Sequence, residues 1–492
     1  MNKILFATSE IYPLIKTGGL ADVSASLPKA IATLGEDIRI VVPAYPSVIQ
    51  QLNNISTVTT LNLHQAEVRI LESTYPDTDI KMLLVDCPFY FHRPDNPYLD
   101  QEGQPWQDNA CRFALFSRAI VEIAVKRIGL PWYPDLVHCH DWQTALVPAL
   151  LSLELNPPAT LFTIHNLAYQ GLFPRSTFTT LGLPQTLWSH NTLEFHEQIS
   201  FIKGGLVFAD RINTVSPTYS AEIQTPEFGF GLDGLLVHRQ ERLSGIINGV
   251  DNDEWNPATD TFLIQTYDSD TLSSRKINKK TLQSEFELPE DEEIALFGFI
   301  GRLVEQKGID VILKSLKELV KSPIQLIFLG SGEATFEKEL QQWADRNPNQ
   351  IGVKIGYNET LSHQIEGGVD IFLMPSRFEP CGLNQMYSQL YGAIPIVRKA
   401  GGLADTVCDA TPSTLADSTA SGIVFEDETP EAFLEAVDRA LSLFSNKTEW
   451  KKLQITAMKR DFSWQKSAQL YIQLYQQAII DRQPPATRNN TR

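Results

Sequence analysis

Two Rossmann-like, doubly wound α/β domains facing a central cleft are what this sequence predicts, on three observations. Apolar, strand-like runs alternate with helix-like ones along most of the chain, the pattern of parallel sheets covered on both faces. A polar stretch, residues 256–293, interrupts the alternation near the middle. A glycine turn, KTGGLADV at 16–23, returns as KAGGLADT at 399–406, once in each half. Ligands of such sheets lie beyond the carboxyl ends of the strands, so the repeated turn predicts one ligand held between two similar halves.

In the first half, strands are expected in NKILFATSE (2–10), DIRIVVP, IKMLLVDCP, DLVHCH, TLFTIHN and RINTVS. Helical spacing of apolar residues marks GLADVSASLPKAIATLG (19–35) and CRFALFSRAIVEIAVKRIG. Residues 256–293, with TYDSDTLSSRKINKK and PEDEE, read as a surface connection into a second domain. The alternation restarts with ALFGFIGR, QLIFLGSG, VKIGY, DIFLMPS and IPIVRK. The expected boundaries are 1–244 and 245–459 for the two domains, 460–481 for a final helix packing back on the first domain, and 482–492 for a disordered tail.

Composition narrows the function. With 43% hydrophobic and 20% charged residues the chain has the make-up of a globular protein with large cores. A net charge of −18 argues against a general binder of nucleic acid or anionic membrane, while an anionic small molecule needs only a local cationic site. The five cysteines are odd in number and lack CxxC spacing, so a reducing compartment and no disulfide framework are expected. No leader precedes the first strand and no apolar run reaches the ~18 residues of a membrane span, which predicts a soluble, cytoplasmic protein.

Six motifs carry the chemistry. GFGLDG (229–234) matches a dinucleotide-binding pattern but follows a polar segment instead of a strand, so it reads as a flexible loop and an NAD enzyme is disfavoured. Three DxD triplets (77–79, 251–253, 268–270) resemble metal-diphosphate ligands, yet all lie in polar stretches where Asp is a turn residue. FIGRLVEQKG instead places Arg302 and Lys307 just after a strand, two fixed cations able to neutralise a diphosphate without metal. HCHDW (138–142) puts two imidazoles on one strand face without a third ligand, and Trp142 suits an apolar sugar face. TIHNLAYQG sets His165 at another strand end. SRFEPCGLNQ supplies Glu379 for hydroxyls and a helix start for phosphate.

Taken together, these motifs resemble the bacterial glycogen synthase and plant starch synthase family, retaining glucosyltransferases of GT-B architecture. KTGGLADV, HCHDW, IHNLAYQG, NGVD, GRLVEQKG, GYNETLSH, EPCGLNQ and the late GGLADTV stand in the family's order from residue 2 to about 470. One departure is Ala400, where the family has Thr before the late glycines. The resemblance implies glucose transfer from ADP-glucose to the non-reducing end of an α-1,4-glucan. It implies no cofactor and no metal, partners limited to ADP-glucose and glucan chains, no nucleic acid or membrane, and a cytoplasmic location, glucan particles included. The catalytic residues would be Lys16, His165, Arg302, Lys307 and Glu379. Gly18, Gly19, Asp22, Asn248, Tyr357, Cys381, Gly382, Leu383, Gly401 and Gly402 would bind the nucleotide sugar, Tyr357 against the adenine. Glu10, Asp141 and Trp142 would meet the acceptor, on the first domain. The competing expectations are a UDP-glucose-dependent transferase of the same fold and a non-catalytic glucan-binding or priming protein.

Overall fold

The protein is described here from a computed structural model, over residues 1–94 and 96–483. From residue 484 onward the expected tail lies outside the described residues. The chain divides into two compact units: Met1–Val215, Ser220–Gly249 and the chain from Trp464 form the first, and Val250–Ser463 with Ser216–Tyr219 the second.

The first unit holds β1 (Lys3–Ala7), β2 (Asp37–Pro43), β3 (Ser56–Leu63), β4 (Ala66–Thr74), β5 (Lys81–Asp86), β6 (Leu136–His140) and β7 (Ala159–Ile164). A small antiparallel sheet follows, of β8 (Leu172–Pro174), β9 (Glu194–Phe195) and β10 (Gln198–Ser200), and then β11 (Arg211–Thr214) and β12 (Leu243–Gly245). The main sheet has nine strands in the order β12-β11-β7-β6-β1-β2-β5-β4-β3. Its centre is parallel and covered on both faces, which is why β6 and β7 are buried throughout and read as continuous runs rather than alternations. The helix Trp464–Arg482 packs on β6, β7, β11 and the helix Gly19–Thr33. Its Tyr475 and Tyr471 hydroxyls meet His138 Nδ1 at 2.9 Å and Asn213 Nδ2 at 3.0 Å.

One edge departs from the expected alternation. β3 and β4 run antiparallel, joined by His64 and Gln65, both with positive φ (49° and 66°), the backbone of a tight hairpin turn. Half-exposed, Thr-rich β3 forms the sheet edge. GFGLDG is a hydrogen-bonded turn and not an open loop: Leu232 is buried, its N–H donates to Gly229 O at 2.8 Å, and the helix Asp233–His238 follows.

The second unit is built on β13 (Ala295–Ile300), β14 (Ile324–Gly330), β15 (Ile351–Ile355), β16 (Ile371–Met374), β17 (Ile394–Arg398) and β18 (Ile423–Phe425). All are parallel, in the order β15-β14-β13-β16-β17-β18. Residues 256–293 are not a surface connection. They contain the helix Arg275–Glu285, which packs on the helix Glu359–Gly368, and Leu282, Phe286 and Leu288 enter the core beside Leu296 and Ile365. The polar composition misleads because its buried cations are satisfied. Lys279 pairs with Asp370 at 2.8 Å and donates to Glu292 O and Ile294 O, while Arg275 donates to the carbonyls of Tyr391 and Val369. The DxD triplets 251–253 and 268–270 serve turns, each first carboxylate accepting the N–H two residues on.

A buried ion pair ties this helical layer together. His363 Nδ1 donates to Asp260 Oδ2 at 2.8 Å, the Tyr391 hydroxyl donates to the same oxygen, and the imidazole stacks on Trp255 at 3.8 Å. Burial alone would lower the His363 pKa, but hydrogen bonding to Asp260 and then Glu359 outweighs it and pushes it up to about 9. Because that lies above the unfolded value of ~6.5, the contribution, at most about 3 kcal/mol, is complete below ~6.5 and is lost as pH rises through the folded pKa. The difference in thermal midpoint between the native protein and His363→Gln should therefore shrink as pH rises from about 6 to about 10. A difference independent of pH would mean that His363 is neutral in the fold.

Candidate active site

In the first unit, strand order reverses beside β1: the chain goes out through β2 and β5, then returns to β6 on the other side. Ala7 pairs with Cys139, so the loop after β1 and the HDW segment after β6 leave the sheet at neighbouring points. The β1 loop carries Glu10. Its Oε2 accepts the Thr17 N–H at 2.5 Å, and its Oε1 accepts the Thr17 and Tyr98 hydroxyls at 2.8 and 2.6 Å. Burial raises the Glu10 carboxyl above its ordinary range against these hydrogen bonds. Glu10 thus braces the glycine turn from within. On the turn, Lys16 Nζ pairs with Asp22 at 2.9 Å, both part-exposed. Gly18 caps the helix Gly19–Thr33 in extended backbone, with open space where a Cβ would stand.

The HDW segment is held as closely. Asp141 has a φ of 55°, is buried, and accepts the His165 N–H on Oδ1 at 2.7 Å; burial pushes its carboxyl up to about 7. It holds the end of β7. Trp142 lies half-buried among Phe113, Phe173 and Phe201, with Gly171 so close that a Cβ there would sit 2.6 Å from the indole. Its ring contacts among the described residues are to these aromatics, and part of the indole stays exposed. His165 Nε2 lies 2.9 Å from His140 Nδ1, and burial lowers the His165 pKa to about 3, leaving a neutral ring. Asn248 is buried, and its Oδ1 makes no hydrogen bond among the described residues.

The second unit repeats the reversal beside β13, flanked by β14 and β16. Arg302 and Lys307 follow β13, and Glu379 follows β16. Lys307 Nζ meets Glu379 Oε2 at 2.5 Å, Ser376 Oγ donates to the same oxygen at 3.1 Å, and Arg302 Nη2 donates to Gln306 at 2.8 Å. Gly308 turns the chain back at a φ of 71°, where a Cβ would fall 2.0 Å from Pro375 O. The loops after β16 and β17 are in backbone contact. Gly402 N–H donates to Glu379 O at 3.0 Å, and a Cβ on Gly402 would lie 2.1 Å from Cys381 O. Gly382 and Gly401 both have positive φ, 71° and 43°, and Leu383 caps the helix Asn384–Leu390. Tyr357 is 71% exposed on the segment after β15, an open aromatic face.

Thr17, Tyr98, Ser376 and Gln306 support the site residues and were not singled out from sequence, and His140 was read only as one of two imidazoles on a strand face. Their one signal was position, inside a quoted motif in every case but Tyr98. For metal, one grouping among the described residues brings ligand atoms within 4.8 Å of one another: Glu254, Glu359 and His363. There His363 Nδ1 already donates to Asp260 Oδ2 at 2.8 Å, and its Nε2 lies 3.6 Å from Glu359 Oε1.

Two doubly wound units, each with polar residues at the point where strand order reverses, have the GT-B fold found in glycosyltransferases. Residues 3–238 match the model of the starch synthase catalytic domain and residues 279–453 that of glycosyl transferases group 1. Glycogen synthase 1 of Methylococcus capsulatus is 56% identical over 97% of both chains, and the glycogen synthase of Thioalkalivibrio sulfidiphilus is 52% identical over 97% of this chain and 100% of its own. The catalytic domain of starch synthase IV from Arabidopsis thaliana, solved bound to ADP and acarbose, matches with a TM-score of 0.87 at 31% identity, covering 97% of this chain and 99% of that one. The chain belongs to the glycogen synthase and starch synthase family and is a glucosyltransferase.

The two glycine turns predict different responses. Gly402→Ala drives a Cβ into the Cys381 carbonyl and should cost about 1–3 kcal/mol, several degrees in Tm, with loss of activity. Gly18→Ala meets open space and should cost under about 1 kcal/mol. Equal thermal midpoints for the two variants would contradict the backbone contact.

Proposed function

We propose that the chain transfers glucose from ADP-glucose to the non-reducing end of an α-1,4-glucan with retention of configuration, in the cytoplasm and at the surface of glucan particles. The observation that carries this reading is the Lys307–Glu379 pair with Arg302 beside it: cations for a diphosphate and a carboxylate for sugar hydroxyls, on the loops of two adjacent strands. The kinship with glycogen synthases and with a starch synthase solved with ADP and acarbose supports donor and acceptor alike.

In this proposal the bond from the anomeric carbon to the diphosphate oxygen breaks with its electron pair leaving on ADP. The acceptor hydroxyl oxygen then bonds the face that ADP vacates and passes its proton to the departing phosphate. Arg302, Lys307 and the glycine-turn amides stabilise the leaving charge, so the catalysis is electrostatic and uses no metal. Lys16, paired with Asp22, and His165 serve the sugar from the first unit. Glu379 keeps Lys307 in place before the donor arrives and then meets the glucose hydroxyls.

Arg302→Ala and Lys307→Ala should each lower kcat by ~10²-fold or more with a smaller change in KM, because the leaving-group charge grows in the transition state. A change confined to KM would assign both residues to ground-state binding. Donor-competition assays with the purified protein and maltooligosaccharide decide the nucleotide, and faster transfer from UDP-glucose would overturn the ADP-glucose reading. Chelation with EDTA should leave turnover unchanged; activity abolished by EDTA and restored by magnesium would refute the metal-free step.

A further inference from the structure

The HCHDW motif contains a second imidazole that the reaction as proposed does not use. His140 is fully buried at the end of β6, its backbone N–H donating to Thr144 Oγ1 at 2.6 Å, with the Phe6 and His138 rings 4.2 and 4.0 Å from its own. Its Nδ1 faces His165 Nε2 at 2.9 Å, while its Nε2 makes no hydrogen bond among the described residues.

One proton lies between the two rings, and the surroundings decide which ring owns it. If His165 donated from Nε2, a neutral His140 would accept on Nδ1 and carry its own proton on Nε2, a buried N–H with no acceptor. If His140 donates from Nδ1, its Nε2 keeps only a lone pair, the cheaper of the two unsatisfied groups. A doubly protonated His140 is disfavoured because burial holds its pKa well below the ordinary value. His138 cannot substitute, since the Tyr475 and Thr163 hydroxyls take its Nδ1 and Nε2 at 2.9 and 2.8 Å.

We infer that His140 is a positioning residue: it donates its Nδ1 proton to His165 Nε2 and thereby holds His165 as the Nδ1–H tautomer, a hydrogen-bond donor to substrate oxygen instead of a base. Asp141, gripping the His165 backbone N–H, fixes the same residue by a second handle. The role in turnover rests on the proposed glucosyl transfer; the tautomer does not.

The test has two arms. In protein labelled with 15N-histidine, long-range proton–nitrogen correlations, assigned by the signals lost in His165→Gln, should show a protonated Nδ1 and an unprotonated Nε2 on His165. A protonated Nε2 on His165 overturns the inference whatever the activity. In steady-state kinetics, His140→Leu, which cannot donate, should lower kcat roughly 10-fold or more with KM less affected, while His140→Asn, whose amide N–H stands near the place of Nδ1, should retain kcat within a few-fold. Equal losses in the two variants, in step with their thermal midpoints, would reduce His140 to core packing. A correct tautomer in a protein that transfers no glucose would refute the proposed function and leave this geometry standing.

Discussion

The arrangement of both units follows from one constraint: a parallel strand whose two neighbours are reached by connections running in opposite directions. β1 has β2 on one side and β6 on the other, and β13 has β14 and β16. No connection crosses the gap between the loops that leave such a pair, so those loops are free to carry polar groups. In the first unit the gap receives Glu10 and Lys16 from one loop and the His140–Trp142 segment from the other. In the second it receives Arg302 and Lys307, then Glu379. Everything that distinguishes the sites, the buried carboxylate, the imidazole pair and the Lys–Glu pair, is a refinement of what those loops hold.

The repeated glycine turn shows how far such refinement goes. KTGGL and KAGGL look alike, yet the first is held by side chains and the second by backbone. Glu10 grips Thr17 twice and Lys16 pairs with Asp22, while the space around Gly18 stays open. Gly402, by contrast, is pressed on the Cys381 carbonyl, and no side chain could stand there. A hydrogen-bonded turn keeps its shape through groups that can re-pair, whereas a turn in backbone contact keeps it through excluded volume. The first therefore has latitude that the second lacks.

Legibility in the sequence divides along the same line. Strands buried on both faces announce themselves as apolar runs, so the sheet centres and the loops that follow them were readable, and with them the places where the candidate residues stand. The helix Arg275–Glu285 was not, because Arg275 and Lys279 are buried against carbonyls that a composition reading does not see. The β3–β4 hairpin has the period of two expected of strands but no glycine at its turn, where His64 and Gln65 take positive φ. Glu10, Asp141 and Trp142 stand just past strand ends, and a motif does not say which way a side chain turns. Each of the three turns inward, toward Thr17, the His165 backbone and an aromatic cluster. His140 was read with His138 as a pair on one face, while the partner that gives it meaning lies 25 residues on, at the end of the next strand.

The electrostatics of the second unit then answer a question raised by the net charge of −18. A chain so acidic should repel an anionic donor, but at physiological salt its distant charges are screened beyond about 8 Å. In the proposed reaction the donor meets Arg302 and Lys307 at close range. Neither cation is left to wander: Gln306 holds the guanidinium and Glu379 the ammonium, Glu379 itself being fixed by Ser376. Holding Lys307 with a carboxylate weakens its ground-state attraction for phosphate, since part of its charge is already answered. The same contact spares the reorganisation that a free lysine would undergo when the charge of a leaving group develops. A pair of this kind gives up some binding for positioning, and positioning counts most in the transition state. The acidic surface and the cationic centre are therefore compatible, because the range over which each acts is different.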